Sequence, residues 1–183
     1  LHLLDSAINF NNQINSYDAQ ISNAGYYGFI GRVYNDQGKP GEALTAFKKS
    51  VMIYRNNSDL LNRAFTENDM AYSYYKQGNY RQSIEQAGKA LNNLLQQEDY
   101  NNAGYSMSLT GSGYWQLGMY DSALSAHHAA VALREKGGNK SGQAYSWARL
   151  GDLYKESGSK KLSLEAYDKA AELYSKLADS SGL

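Results

Sequence analysis

The side chains of this 183-residue chain that could carry out chemistry are few and scattered. No cysteine is present, which excludes disulfide scaffolds, thiolate metal sites and cysteine nucleophiles. His127 and His128 are adjacent on a predicted helix, so they point about 100° apart and cannot form the i, i+4 pair that metal-binding helices favour. No serine, acid and histidine set can be placed on neighbouring helices by a spacing argument. We therefore expect a protein that is not an enzyme and that holds no metal and no cofactor.

Composition argues against two further classes of partner. Eighteen basic and eighteen acidic residues cancel without forming long blocks, so neither nucleic acid nor an anionic membrane surface is expected to bind. No apolar run reaches the ~18 to 20 residues of a membrane span. The stretch GGNKSG at 137–142 lacks the order of a phosphate-binding loop and follows no strand, so it predicts a turn. The compartment is left open, with the cytoplasm favoured.

The elements that position these side chains follow from an internal repeat of forty residues. A tyrosine and a glycine four residues later recur without exception, and each tyrosine is preceded by a small residue. After the glycine come a small residue and an aliphatic one. The tyrosines are Tyr34, Tyr74, Tyr114 and Tyr154, and the glycines are Gly38, Gly78, Gly118 and Gly158.

Each repeat predicts two amphipathic helices with a turn at the glycine, whose lack of a Cβ suits the left-handed end of a helix. In the third repeat the helices are expected at 104–117 and 120–134. Pro40, two residues after Gly38, supports a helix start there. The chain is predicted to be one array, with a partial repeat at 1–20 and full repeats at about 24–60, 64–100, 104–140 and 144–180. It begins at Leu1 without a methionine, and we expect it to be part of a longer protein.

The segment WARLGDLY, from Trp147 to Tyr154, resembles the tetratricopeptide repeat pattern W-x-x-L-G-x-x-Y, and Ala43 with Phe47 resembles its A-x-x-x-F. The resemblance implies an all-α fold, a right-handed superhelical solenoid of antiparallel helix pairs. The period of forty exceeds the family's usual 34, and the extra residues are expected to lengthen the connections. Long repeats of this kind are similar to those of kinesin light chains, spindle-orientation adaptors and bacterial Rap-type or sensor domains. Such domains bind peptides, protein domains or, in a few cases, small ligands.

In solenoids of this family the first helix of each pair forms the concave inner surface, on the stripe opposite its packing face. The resemblance therefore predicts a protein or peptide partner on that stripe, which is aromatic and rich in amides at its centre. The predicted partner-binding residues are Arg32, Asn35, Asn68, Tyr72, Tyr75, Lys76, Tyr105, Ser108, Ser112, Trp115, Tyr145, Arg149, Asp152 and Lys155.

Several alternatives stay open at this point. The stripe's tyrosines could bridge adjacent helices instead of contacting a partner. A clamp for a C-terminal carboxylate could use Arg32, Asn35, Asn68 and Lys76, but it is disfavoured because charge-assisted capture needs several converging donors. Exposed terminal helices could support a homo-oligomer, since no repeat covers the last predicted helix. Small-ligand sensing is a further alternative function.

Overall fold

The computed structural model describes residues 2–14 and 16–181, and every regular element within them is an α-helix. The chain divides into two compact parts, unit 1 (residues 1–93) and unit 2 (residues 94–183). The first helices of the pairs, here called A helices, are α2 (Tyr17–Asp36), α4 (Leu60–Lys76), α6 (Tyr100–Gln116) and α8 (Lys140–Glu156). The others, the B helices, are α1 (His2–Ile14), α3 (Pro40–Asn56), α5 (Tyr80–Gln96), α7 (Tyr120–Lys136) and α9 (Lys160–Ser181). The prediction of an all-α fold is confirmed.

The four-residue spacing between the tyrosine and the glycine of each repeat comes from the turn that ends each A helix. The glycine that follows each A helix has a left-handed backbone, with φ between 71° and 77°. The next residue donates its backbone N–H to the carbonyl oxygen of the tyrosine, as Met119 does to Tyr114 at 2.9 Å. This bond closes a Schellman motif, whose left-handed position favours glycine because a Cβ would clash there. Gly118 therefore ends α6 four residues after the tyrosine that accepts the bond.

The turns that lead from a B helix to the next A helix have the same backbone. Ser58, Glu98 and Gly138 are left-handed, with φ of 56°, 55° and 70°. The N–H of Asp59 bonds the carbonyl oxygen of Tyr54 at 2.9 Å, as in the glycine turns. The carboxylate of Asp59 then accepts the N–H of Asn62 at 3.1 Å and caps α4.

The expectation that the long period lengthens the connections is wrong. Each connection after α2 has three residues, and α3 to α8 have seventeen residues each, which accounts for the period of forty. The polar stretches between repeats belong to helix ends and caps, because an Asp or Asn at the N-cap and a left-handed residue before it complete the turn. Consequently α6 starts at Tyr100, four residues before its predicted start, and α2 already starts at Tyr17.

Within unit 1, α2 packs against α1, α3 and α4. Phe47 of α3 is fully buried in a cluster with Ala43, Leu44 and Met70. Within unit 2, α6 packs on α7 and α8, and α9 packs on α8. A second cluster there contains Val131, Leu150 and Ala166.

Three A-helix glycines lie directly against a ring of the following B helix. A Cβ on Gly111 would lie 2.8 Å from the ring of His127, and one on Gly151 would lie 2.7 Å from Tyr167. Real Cβ atoms essentially never lie so close to another heavy atom. The position three residues before the tyrosine is therefore glycine in the repeats where a ring of the B helix faces it. The pairs are Gly31 with Phe47, Gly111 with His127, and Gly151 with Tyr167.

Candidate partner-binding site

The fourteen predicted partner-binding residues lie on the A helices, six of them in unit 1 and eight in unit 2. We call the two sets the unit 1 stripe and the unit 2 stripe. The unit 1 stripe consists of Arg32, Asn35, Asn68, Tyr72, Tyr75 and Lys76. The unit 2 stripe consists of Tyr105, Ser108, Ser112, Trp115, Tyr145, Arg149, Asp152 and Lys155.

In unit 1, polar bonds join α2 to α4. Nη1 of Arg32 lies 3.1 Å from Oδ2 of Asp69. Asn35 donates through Nδ2 to Oγ of Ser73 at 2.9 Å, and that hydroxyl lies 3.0 Å from Oδ1 of the same amide. Burial raises the pKa of the Asp69 carboxyl, and the neighbouring Arg32 opposes this rise. Arg32 and Asn35 are thus already engaged with α4.

The rest of the unit 1 stripe is divided between surface and interior. Tyr72 is 37% exposed and Lys76 is exposed, whereas Asn68 is buried. The ring of Tyr75 is half-buried and its centroid lies 5.5 Å from that of Tyr80 on α5. With Arg32 paired and Asn68 buried, the donors that a carboxylate clamp would need do not converge on one exposed point.

In unit 2, the side chains of α6 and α8 line a cavity. Tyr105 and Tyr145 occupy equivalent positions of the two helices and are 37% and 43% exposed. Ser108 is buried, with its Oγ 3.4 Å from that of Ser146, and Ser112 is half-buried. The cavity has a volume of about 180 Å³ and is lined by Tyr105, Ser108, Leu109, Ser112, Arg134 and Tyr145.

The remaining residues of the unit 2 stripe lie toward the C-terminal ends of α6 and α8. Nε1 of Trp115 donates to Oε2 of Glu156 at 2.7 Å. Arg149 forms an ion pair of 2.9 Å with Asp152. The hydroxyl of Tyr167 also donates a hydrogen bond of 2.6 Å to Oδ1 of Asp152. Lys155 is exposed. The half-buried Trp115 ring therefore bridges the two A helices and also contributes to their surface.

Arg134 is the residue of this site that the sequence prediction missed. It lies in the last turn of α7, a B helix, and is only 5% exposed. A signal was present, because the equivalent positions of the other repeats hold Tyr54, Leu94 and Tyr174, so a charge stands in an apolar column. The guanidinium lies 5.7 Å from the centroid of the Tyr145 ring, and Arg149 lies 5.4 Å from the same ring.

The two adjacent histidines have separate environments. His127 is fully buried, neither ring nitrogen has a partner, and burial followed by the nearby Arg149 and Arg134 charges lowers its pKa to about 4. Nε2 of His128 lies 3.0 Å from the hydroxyl of Tyr154. Among the described side chains, those of residues 2–14 and 16–178, there is no group of three or more His, Cys, Asp and Glu placed to hold a metal ion. His127 therefore serves as a packed ring, in the position that Phe47 has in the first repeat.

Family models identify the repeat. Two models described as tetratricopeptide repeat match residues 22–103 and 144–177, which together make up more than half of the chain. The chain belongs to the tetratricopeptide repeat family. The resemblance seen in the sequence is confirmed, and the all-α helical repeat solenoid that it implied is confirmed with it. None of the helices in the described part of this tetratricopeptide repeat (TPR) chain has the length and apolar character to cross a bilayer.

Solved structures share the fold at low sequence identity. BtubC from P. vanneervenii is 16% identical, with a TM-score of 0.84 over 97% of this chain and 72% of its own. A Rap protein complexed with competence and sporulation factor is 18% identical, with a TM-score of 0.79 over 87% of this chain and 45% of its own. A STAND protein with a tetratricopeptide repeat sensor from Pyrococcus horikoshii is 19% identical, with a TM-score of 0.77 over 98% of this chain and 28% of its own. The TPR chain thus spans less than half the length of the last two. No curated protein sequence matches it.

Proposed function

We propose that this TPR chain is a protein-interaction module that binds an extended peptide, or a segment of a partner domain, along its A-helix stripes. The observation that carries the proposal is the pair Tyr105 and Tyr145, which repeat at the same position of α6 and α8 and keep about two fifths of their surface exposed. Their rings flank a cavity whose wall includes Ser112 and Arg134. Aromatic faces beside hydroxyl and guanidinium groups suit a peptide, since the rings bury area and the polar groups pair with backbone or side-chain oxygens.

Family membership supports the same kind of function. The TPR fold is in general a non-enzymatic interaction scaffold, and we infer the same role here. The Rap protein among the similar structures was solved in complex with competence and sporulation factor, and the STAND protein carries its repeats as a sensor. By analogy, we propose that this chain is the scaffolding or sensory part of a larger signalling protein.

The test is selection of a displayed random peptide library on the wild-type chain, followed by titration of the selected peptide. Micromolar affinity is expected, which corresponds to about 8 kcal/mol. Tyr105→Ala and Tyr145→Ala should each weaken binding by about fivefold or more, as truncation of an aromatic anchor usually costs over 1 kcal/mol. The matched control is Tyr120→Ala, because Tyr120 has a similar exposure of 47% but starts a B helix. Equal loss in all three variants, or no loss in any, would refute the stripe as the binding surface.

Self-association is the second candidate function, and exposed apolar side chains on α1 and α9 favour it. Phe10 of α1 is 63% exposed, and Leu164 of α9 is 65% exposed. Burying such side chains against a second copy would remove apolar surface from water. Light scattering over a concentration series of the wild type and of Leu164→Lys measures it. A mass that stays monomeric at the highest concentration excludes this function.

A further inference from the structure

The guanidinium of Arg134 is buried with unfilled hydrogen-bonding capacity. Its Nη1 donates to the carbonyl oxygen of Gly142 and to Oγ of Ser146, both at 2.7 Å. Its Nε is buried without an acceptor, and its Nη2 bonds to no described residue. No carboxylate among the described side chains, those of residues 2–14 and 16–178, forms an ion pair with it. Nη1 therefore has both of its acceptors within the chain, whereas the buried Nε–H has none.

The space that holds this arginine is specific to its repeat. A Cβ on Gly104 would lie 2.6 Å from Cγ of Arg134, and one on Gly142 would lie 2.6 Å from its Cδ. The columns of these two glycines contain larger residues in the other repeats: Ala24, Ala64 and Ala144 in the first, and Ser22, Asn62 and Asn102 in the second. The equivalent residues are Ala24 and Asn62 around Tyr54, and Ala64 and Asn102 around Leu94, so glycine is present at both positions only around Arg134.

Packing alone gives no reason for a charge at this position. A buried guanidinium without an anion is costly, because desolvation is not offset by a paired charge. The same column folds with the neutral residues Tyr54 and Leu94, both buried. Burial also lowers the pKa of the Arg134 guanidinium, although arginine stays protonated at neutral pH. The observations therefore point to an anion that none of the described side chains supplies.

We propose that the cavity between α6, α7 and α8 is a carboxylate site, in which Arg134 pairs with a carboxylate of the bound peptide. This inference rests on the proposed function, since the peptide supplies the group. The cavity opens beside the exposed rings of Tyr105 and Tyr145, and Ser112 in its wall offers a hydroxyl donor. The cavity has a volume of about 180 Å³, whereas one water molecule in the liquid occupies ~30 Å³. The cavity is therefore large enough for a carboxylate and its adjoining carbons. It is smaller than the ~300 to 1,000 Å³ of sites for drug-sized ligands.

The charge balance selects a monoanion. Arg149, the other cation beside the Tyr145 ring, is already paired with Asp152 at 2.9 Å, so that pair adds no net charge. Arg134 is left as a single positive charge with a planar donor set, which matches the planar carboxylate. A phosphate dianion would keep an uncompensated charge in the cavity. The site is also distinct from the disfavoured clamp set of Arg32, Asn35, Asn68 and Lys76, which lies in unit 1.

The carboxylate can come from a peptide's C-terminus or from an acidic side chain, and a set of matched probes distinguishes them. The probes are N-acetyl-trialanine as the free acid and as the amide, and N-acetyl-Ala-Glu-Ala-amide with its Gln counterpart. Titration of the ¹⁵N-labelled chain is read from the Arg134 Nε–H and from the backbone amide of Ser112. We expect at least one carboxylate probe to bind about 10- to 100-fold more tightly than its amide counterpart, as befits a charged hydrogen bond. Equal shifts with acid and amide in both pairs would overturn the proposal without any variant.

A variant pair gives the second test. Arg134→Leu introduces the residue that the second repeat has at this position, and we expect it to abolish the preference for the acid. The control is Arg55→Leu, which removes an exposed arginine from the last turn of α3 and should leave the preference unchanged. A preference that survives Arg134→Leu, or inorganic phosphate that binds more tightly than the carboxylate probes, would refute the site as described.

Failure here and failure of the proposed function have different signatures. A library-selected peptide that binds with unchanged affinity to Arg134→Leu would refute the carboxylate site while leaving peptide binding intact. If no peptide is selected but the free-acid probe still shifts Arg134 Nε–H more than the amide does, the carboxylate site stands and the proposed function fails.

Discussion

Replacing His127 by phenylalanine should remove much of the acid sensitivity of unit 2. The ring is fully buried against Gly111, both of its nitrogens lack partners, and its pKa is lowered to about 4. In the unfolded chain histidine titrates near 6.5, so between these values the unfolded state binds more protons than the folded state. The stability that neutral His127 allows is therefore complete above about pH 6.5 and is lost as the pH falls toward 4. The loss between about pH 7.5 and pH 5 amounts to roughly 2 kcal/mol.

Urea unfolding followed by tryptophan fluorescence measures this loss, since Trp115 and Trp147 both lie in unit 2. His127→Phe introduces the ring that Phe47 provides in the first repeat. Because phenylalanine does not titrate, the unfolding free energy of this variant should lack the loss of about 2 kcal/mol that His127 causes in the wild type over the same pH range. The control His128→Gln removes the exposed neighbouring imidazole and should retain the larger part of the loss. Identical pH dependence in wild type and His127→Phe, or a His127 imidazole that titrates near 6.5 by NMR, would refute the reasoning.

Three smaller predictions concern packing and charge. Gly111→Ala should destabilise the chain by about 1 to 3 kcal/mol, since its Cβ would lie 2.8 Å from the buried His127 ring, and thermal unfolding measures this. Gly88→Ala, where nothing lies within 4 Å, should instead stabilise α5 by about 0.5 to 1 kcal/mol in the same assay; a loss of stability would contradict this. Arg32→Gln should raise the pKa of the Asp69 carboxyl further, which NMR titration of that carboxyl measures. The free energy of unfolding should fall by less than about 1 kcal/mol, because the Arg32 side chain is 55% exposed.

The helix pairs could be predicted from the sequence because their turns demand a particular residue. The left-handed position after each A helix favours glycine and is glycine in all four repeats, so it can be read directly from the sequence. Turns were also expected before the A helices, but their short three-residue form was not, because Ser58 and Glu98 adopt the left-handed backbone without being glycine. The polar residues beside them cap the following helices. Composition alone does not distinguish a helix cap from a longer loop, because both are rich in polar residues. For this reason the connections were expected to be longer than three residues.

The exposure of the stripe could be predicted only in part. Helical spacing places Tyr72, Tyr105 and Tyr145 on the A helices, and the structure leaves them exposed. The same spacing selects Asn68 and Ser108, which are buried because neighbouring helices cover those positions. Periodicity describes one helix at a time and does not report what a neighbouring helix covers. Arg134 was missed because it lies on a B helix, outside the stripe, although its charge in the column of Tyr54, Leu94 and Tyr174 was a signal.

The turns of this chain have a second consequence. Left-handed residues occur at every twentieth position from 38 to 158, so the main chain repeats with half the period of the side chains. A single helix with its three-residue corner is therefore the step by which the backbone advances, and only the side chains distinguish A helices from B helices. Adding or removing one step leaves the corners as regular as adding or removing two, but one step would place the side chains of an A helix where those of a B helix are expected. Lengthening in pairs is thus required by the side chains and not by the corners.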